Sequence, residues 1–160
     1  MKNFAIAIML VMGLSSFAQN NNDYLEYSRT VLNAEKKAIV SEAMMLSQEQ
    51  SKIFWPLYNE LNEKLFQVES KTYAVIIDYA ENIEKMTDEK ADELWTKATS
   101  AQAERYKLLN SYYGKFKKVL PAGIVVKYFQ VENKIDIMID AALAMEIPLV
   151  EIQPAGDKTE

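Results

Sequence analysis

The side chains that carry out most protein chemistry are missing from this chain, which has no histidine and no cysteine. Cys–His and Ser–His–Asp arrangements are therefore excluded. Zinc rarely accepts a site made of carboxylates alone, and the di-iron four-helix pattern needs Glu-x-x-His pairs. No Walker loop or dinucleotide-type glycine motif occurs. Carboxylates are what remains for acid–base work. The densest set is Asp78, Glu81, Glu84, Asp88, Glu89, Asp92 and Glu93. It surrounds a junction between two helical stretches, so it reads as a solvated tip with favourable charge at a helix N-terminus. Weak calcium or magnesium capture is the alternative reading, without EF-hand spacing to support it. The sequence points to a protein that is not an enzyme, with no catalytic residues, no metal site and no cofactor.

One basic–aromatic cluster stands out: Lys115, Lys117 and Lys118 beside Tyr112, Tyr113 and Phe116. It can be read as a grip for acidic or unfolded polypeptide. It can also be read as lysines offsetting the dipole at a helix C-terminus while the aromatics pack. Trp55, Phe66, Trp95 and Phe129 are read as core or pairing residues. Gln130, Glu132 and Asn133 flank the last apolar seam, where polar groups can fix register.

The elements that must position these residues are four helices and a tail. Asp23 followed by Glu26 forms a variant capping box and opens a first helix to about Met44, with Tyr24, Tyr27, Val31, Ala34 and Ala38 at helical spacing. Ser47 with Gln50 forms a second capping box. After it, Phe54, Tyr58, Leu61, Leu65, Val68, Thr72, Val75 and Tyr79 make a heptad seam, with Pro56 expected to bend the helix near its start. Thr87, followed by Asp88 and Glu89, starts a third helix whose inner face is Leu94, Ala98, Ala101, Leu108 and Tyr112, with Arg105 in one seam position. The short link near Glu84 to Thr87 implies an antiparallel hairpin. Leu120-Pro121 breaks or kinks the chain, and Pro121 suits a first helical position. A fourth seam follows in Ile124, Tyr128, Val131, Ile135, Met138, Ala142 and Met145, and Pro148 stops it.

Composition and the N-terminus set the context. Lys2, the apolar run Phe4 to Leu14 and the small residues before Ala18 follow the order of a cleavable secretory signal. The run is 11 residues, short of the roughly 20 that cross a bilayer. Residues 1–18 thus read as a signal peptide, 19–151 as a helical domain and 152–160 as a flexible tail, in a protein of the periplasm. No membrane span is expected in the mature chain. The net charge of −5 makes nucleic acid a poor partner, since its binding depends on neutralising phosphates. After the cut only Gly114, Gly123 and Gly156 remain, too few for a turn-rich β protein.

The second helix, at about 38 residues, would run about 57 Å. A compact globule of this chain length has a radius of gyration of only about 14 to 15 Å. The fold expected is all-α: an elongated, bent antiparallel hairpin of about four helices that buries its apolar face against a second copy. A bent monomeric bundle is the alternative.

Leu46-Ser47-Gln48-Glu49-Gln50 matches the Leu-Ser/Thr-x-x-Gln signature of the Spy/CpxP-like (LTXXQ-motif) periplasmic proteins, and it lies after a signal peptide and a first helix, as in that family. The second copy of the motif is reduced to Leu120 and a helix start in Leu120-Pro121-Ala122-Gly123-Ile124. Phe54-Trp55-Pro56-Leu57-Tyr58 and Tyr128-Phe129-Gln130-Val131-Glu132-Asn133-Lys134 resemble a related group of exported helical proteins. The resemblance implies a dimeric cradle that acts in envelope stress by passive protein binding, as an ATP-independent chaperone for unfolded clients. A dedicated regulatory protein for one envelope partner, such as a sensor domain, is the alternative. Leu46, Ser47 and Gln50 carry the motif, and the residues themselves read as a helix cap.

Overall fold

Helix boundaries here are written largely by short-range hydrogen bonds. The computed structural model describes residues 21–150, with side chains from residue 31 onward. The signal segment, the tail and the side chains of Asp23, Tyr24, Glu26 and Tyr27 lie outside the described residues. Among the described residues there are four α helices and no strand: α1 Asn21–Met44, α2 Gln48–Asn82, α3 Asp88–Lys117 and α4 Ala122–Glu146. The protein is all-α. One 3-10 turn, Ile83–Lys85, ends the α2 run, so α2 is 35 residues long, slightly shorter than its sequence pattern suggests.

The α2 start is the reciprocal cap expected from sequence. The Ser47 backbone N–H donates to Gln50 Oε1 at 3.0 Å, and the Gln50 N–H donates to Ser47 Oγ at 3.3 Å. Two N–H groups that a helix start leaves orphaned are thereby satisfied. Thr87 caps α3 likewise, its Oγ1 accepting from the Lys90 N–H at 3.2 Å, with Asp88 and Glu89 in the first turn. Pro121 breaks the chain and stands at the N-cap of α4, one place before the first helical residue expected for it. Its carbonyl accepts from the Ile124 and Val125 N–H groups at 3.0 and 3.2 Å. Among the described residues helix α1 runs from Asn21 and includes Asp23. It ends without a glycine, and Met45 takes the left-handed conformation itself, at φ 48°, where a glycine is the usual occupant. The α2 helix runs unbroken through Pro56.

Within the stretch read as one helical domain, the described chain divides into two compact units. Unit 1 comprises 21–54 and Lys117–Ile147. Here α1 packs closely on α4, around Val40, Met44, Phe54, Leu120, Val125, Tyr128, Ile135 and Ala142. Phe54 and Tyr128 meet edge to face at 5.1 Å between ring centroids, a favoured aromatic arrangement. Two faces differ from the sequence expectation. In α1 the buried row is Lys36, Val40 and Met44 in steps of four, while Ala34 and Ala38 are exposed. In α4 the heptad pattern fits two rows. The structure buries Tyr128, Ile135 and Ala142, adds Val125 and Glu132, and leaves Met138 and Met145 exposed at 47% and 80%. Spacing alone does not choose between adjacent rows; the facing helix does.

Among the described residues unit 2 comprises Trp55–Phe116 and 148–150. Its core is Tyr58, Leu61, Leu65 and Val68 from α2 with Leu94, Ala101, Tyr112 and Phe116 from α3. Each such Leu or Phe contributes about 1.5 to 3 kcal/mol of burial. Cross-helix ion pairs report the direction. Glu60 meets Lys115, Glu69 meets Arg105, Lys71 meets Glu104 and Asp78 meets Lys97. As the α2 number rises the α3 number falls nearly in step, which is an antiparallel hairpin. Thr72, Val75 and Tyr79 continue the α2 seam but are only half-buried, and the Tyr79 hydroxyl donates to the Pro148 carbonyl at 2.6 Å.

Candidate functional site

Of the residues singled out by sequence, Leu46 is half-buried and Ser47 exposed, in unit 1, and Ser47 Oγ and Gln50 Oε1 are engaged in capping. The basic–aromatic cluster does not present a single surface. Tyr112 and Phe116 are buried at 1% and 0% exposure, inside the unit 2 core. Tyr113 and Lys115 are half-buried, whereas Lys117 and Lys118 are exposed and belong to unit 1.

Lys115 is held at two points. Its Nζ lies 4.1 Å from the Tyr112 ring centroid and donates to Glu60 Oε1 at 3.1 Å. Lys64, one turn after Glu60, donates to the same oxygen at 3.3 Å and sits 5.6 Å from that ring. The Glu60 carboxyl is lowered to about 2, first by the Tyr112 hydroxyl and then by the ammonium groups of Lys115 and Lys64. That hydroxyl is buried and makes no full hydrogen bond. Lys64 is raised, chiefly by Tyr112 and Glu60, and Lys115 is raised, chiefly by Glu60 and Tyr112. Near neutral pH the carboxylate is ionised and both lysines are protonated. None of the three is poised to move a proton, because a general acid or base works best with a pKa near the working pH. The arrangement is an electrostatic clasp over an aromatic ring.

Two of the seven carboxylates at the acidic tip, Asp78 and Glu93, are held in ion pairs. Lys90 bridges Asp78 at 2.8 Å and Glu93 at 3.3 Å, and Lys97 pairs with both as well. Lys90 is accordingly raised, first by Asp78, and Glu93 lowered, first by Lys97. Glu81, Glu84, Asp88, Glu89 and Asp92 are exposed. Among the described residues no three histidine, cysteine or acidic side chains come together as a metal site. No helix among them is long and apolar enough to cross a membrane.

Two features were not singled out from sequence. One is a shallow groove of about 490 Å³ between α2 and α3 of unit 2. Ala74, Val75, Ser100 and Ala101 line it, along with the Lys71–Glu104 pair, Asp78 and Lys97. Small residues facing each other leave this space, and its charges are paired across it. The other is a row of aromatics on α3. Trp95, read as a core or pairing residue, is 71% exposed, and Tyr106 is 70% exposed. The row is visible in the sequence as Trp95, Tyr106 and Tyr113, spaced close to whole helical turns, and its uncharged neighbours were the signal available.

In unit 1, Lys36 Nζ meets Glu132 Oε1 at 2.5 Å with both side chains buried. Glu132, expected beside the α4 seam, lies in it. Comparison with known proteins adds no external assignment: the chain matches no family model, no curated protein and no solved structure.

Proposed function

We propose that this is an exported, periplasmic helical protein that acts by passive protein binding, chaperone-like or associated with envelope stress. The observation that carries the reading is the reciprocal cap of Ser47 and Gln50. It lies within the Leu-Ser-x-x-Gln pentapeptide and opens a 35-residue helix, as the Spy/CpxP-like resemblance requires. The antiparallel α2–α3 hairpin of unit 2 supports the same reading. So does the absence of histidine and cysteine from the sequence, which leaves shape and surface as the means of action. The chain pairs with a second copy and needs no nucleotide.

The test is aggregation of several unrelated clients with purified mature protein and no ATP. Suppression at near-stoichiometric ratios is the expected result, and inactivity across all of them sinks the reading. Crosslinking in intact cells separates general binding, seen as many clients, from a dedicated regulator, seen as one dominant partner such as a sensor domain. N-terminal sequencing of the envelope form should begin at Gln19, and sedimentation should report the dimer.

A further inference from the structure

Exposed tryptophan is uncommon, since burying an indole removes a large apolar area from water. Trp95 and Tyr106 are nonetheless 71% and 70% exposed, and Tyr113 is half-buried. At about 3.6 residues per turn, Tyr106 follows Trp95 by about three turns and Tyr113 by about five, so all three share one face of α3. Between them that face carries Thr99, Gln102, Leu109 and Asn110, and no charged residue; Lys107 lies about 100° round the helix from Tyr106, off the face. The Thr99 hydroxyl is returned to the Trp95 carbonyl at 2.9 Å. The charged residues of the same stretch turn elsewhere: Lys97, Glu104 and Arg105 engage Asp78, Lys71 and Glu69 on α2. In a chain where 26% of residues are charged, an exposed helix face of nearly five turns without a charge has the composition of an interface core. Interface cores are depleted of charge and enriched in Trp and Tyr.

We infer that this face, from Trp95 to Tyr113, is a docking stripe for an uncharged stretch of polypeptide. The inference rests on the passive-binding reading above and gives that binding a place and a selectivity. Two other occupants fit less well. Aromatic rings bury about 150 to 250 Å² each, so the partly covered row offers on the order of 500 Å². A stable pair of copies needs about 800 Å² per partner, more than this stripe supplies. A charged segment laid on it would lose water with no opposite charge to meet, which is costly. An uncharged segment loses little solvation and gains ring stacking and apolar contact along the row.

The full mature chain carrying Trp55→Phe makes Trp95 the sole indole. Its emission should shift to the blue on titration with a short peptide rich in Leu, Phe and Asn. Replacing the Asn residues of that peptide by Asp should weaken binding. Tyr106→Ser in the same background should weaken it about tenfold, the usual scale for an aromatic anchor, with helical circular dichroism and melting temperature unchanged. Equal binding of the Asp peptide, or of the Tyr106→Ser variant, overturns the stripe. So does a Trp95 shift with an uncharged oligosaccharide but none with the peptide. The two readings fail separately. If Trp95→Ser/Tyr106→Ser protein still suppresses client aggregation as well as the parent, the stripe falls and passive binding stands. If the peptide shifts Trp95 but no client is protected, passive chaperoning falls and the stripe stands.

Discussion

The two units solve the same problem, a charge in an apolar seam, in opposite ways. In unit 1, Lys36 of α1 and Glu132 of α4 are both buried and meet each other at 2.5 Å. In unit 2, Arg105 occupies a seam position of α3 but stays at the rim, 4.0 Å from Glu69, with side chains 25% and 33% exposed. The Asp78–Lys90 cross-link is exposed to the same degree, at 25% and 29%, and those of Lys71, Lys97 and Lys115 are more exposed. The difference lies in what each charge costs. Taking two ions out of water costs several kcal/mol each unless they are matched closely, so the unit 1 pair ties two helices to one register. The unit 2 pairs stay partly hydrated, and each contributes little to stability. Register in unit 2 comes instead from the packing of the α2 seam on α3, with the ion pairs following it.

The sharpest way to break this contrast is Glu132→Ala. It leaves the Lys36 ammonium buried without that carboxylate and should cost about 3 to 5 kcal/mol in urea unfolding. Replacing both partners, Lys36→Met with Glu132→Leu, should be neutral or stabilising by about 1 to 4 kcal/mol. A single-variant loss no larger than that of a surface pair would erase the distinction between the units.

A smaller effect sharpens it. Ser47→Ala in unit 1 and Thr87→Ala in unit 2 remove the same kind of cap, and each should cost about 1 kcal/mol. Equal costs, read from denaturant midpoints, would show that local devices act alike in both units and that only the long-range charges differ. Below these comes Glu104→Gln, which removes the pair with Lys71, whose side chains are 57% and 46% exposed. The expected loss is under about 1 kcal/mol and should fade as salt is raised.

The smallest effect is the pH response of Glu60. Its carboxyl is lowered from 4.5 to about 2 in the folded chain. Its stabilising contribution is therefore complete above about 4.5 and lost as the pH falls through about 2. It is modest, because the Glu60 side chain is 43% exposed and solvent screens it. A carboxyl-resolved NMR titration should place the Glu60 midpoint near 2, and a midpoint near 4.5 would dissolve the clasp with Tyr112, Lys115 and Lys64.

Some of this was legible in the chain itself. The Ser47–Gln50 and Thr87 starts, the Pro121 break and the Pro148 stop could be read directly, because capping bonds join residues three or four apart and proline acts on its own backbone. The α2 seam from Phe54 to Val68 was legible too, since apolar residues at steps of three and four have one face to bury. The candidate site was less so. Tyr112 and Phe116 could be read either as packed aromatics or as part of a grip beside the lysines, and Trp95 as a core or pairing residue, because sequence does not say which side of α3 meets α2. Tertiary structure alone chose the buried row of α4 and the Lys36, Val40 and Met44 face of α1. The physical reason is distance along the chain: Lys36 and Glu132 are 96 residues apart. Neither residue's neighbours announce that a lysine on one helix will be buried against a glutamate on another.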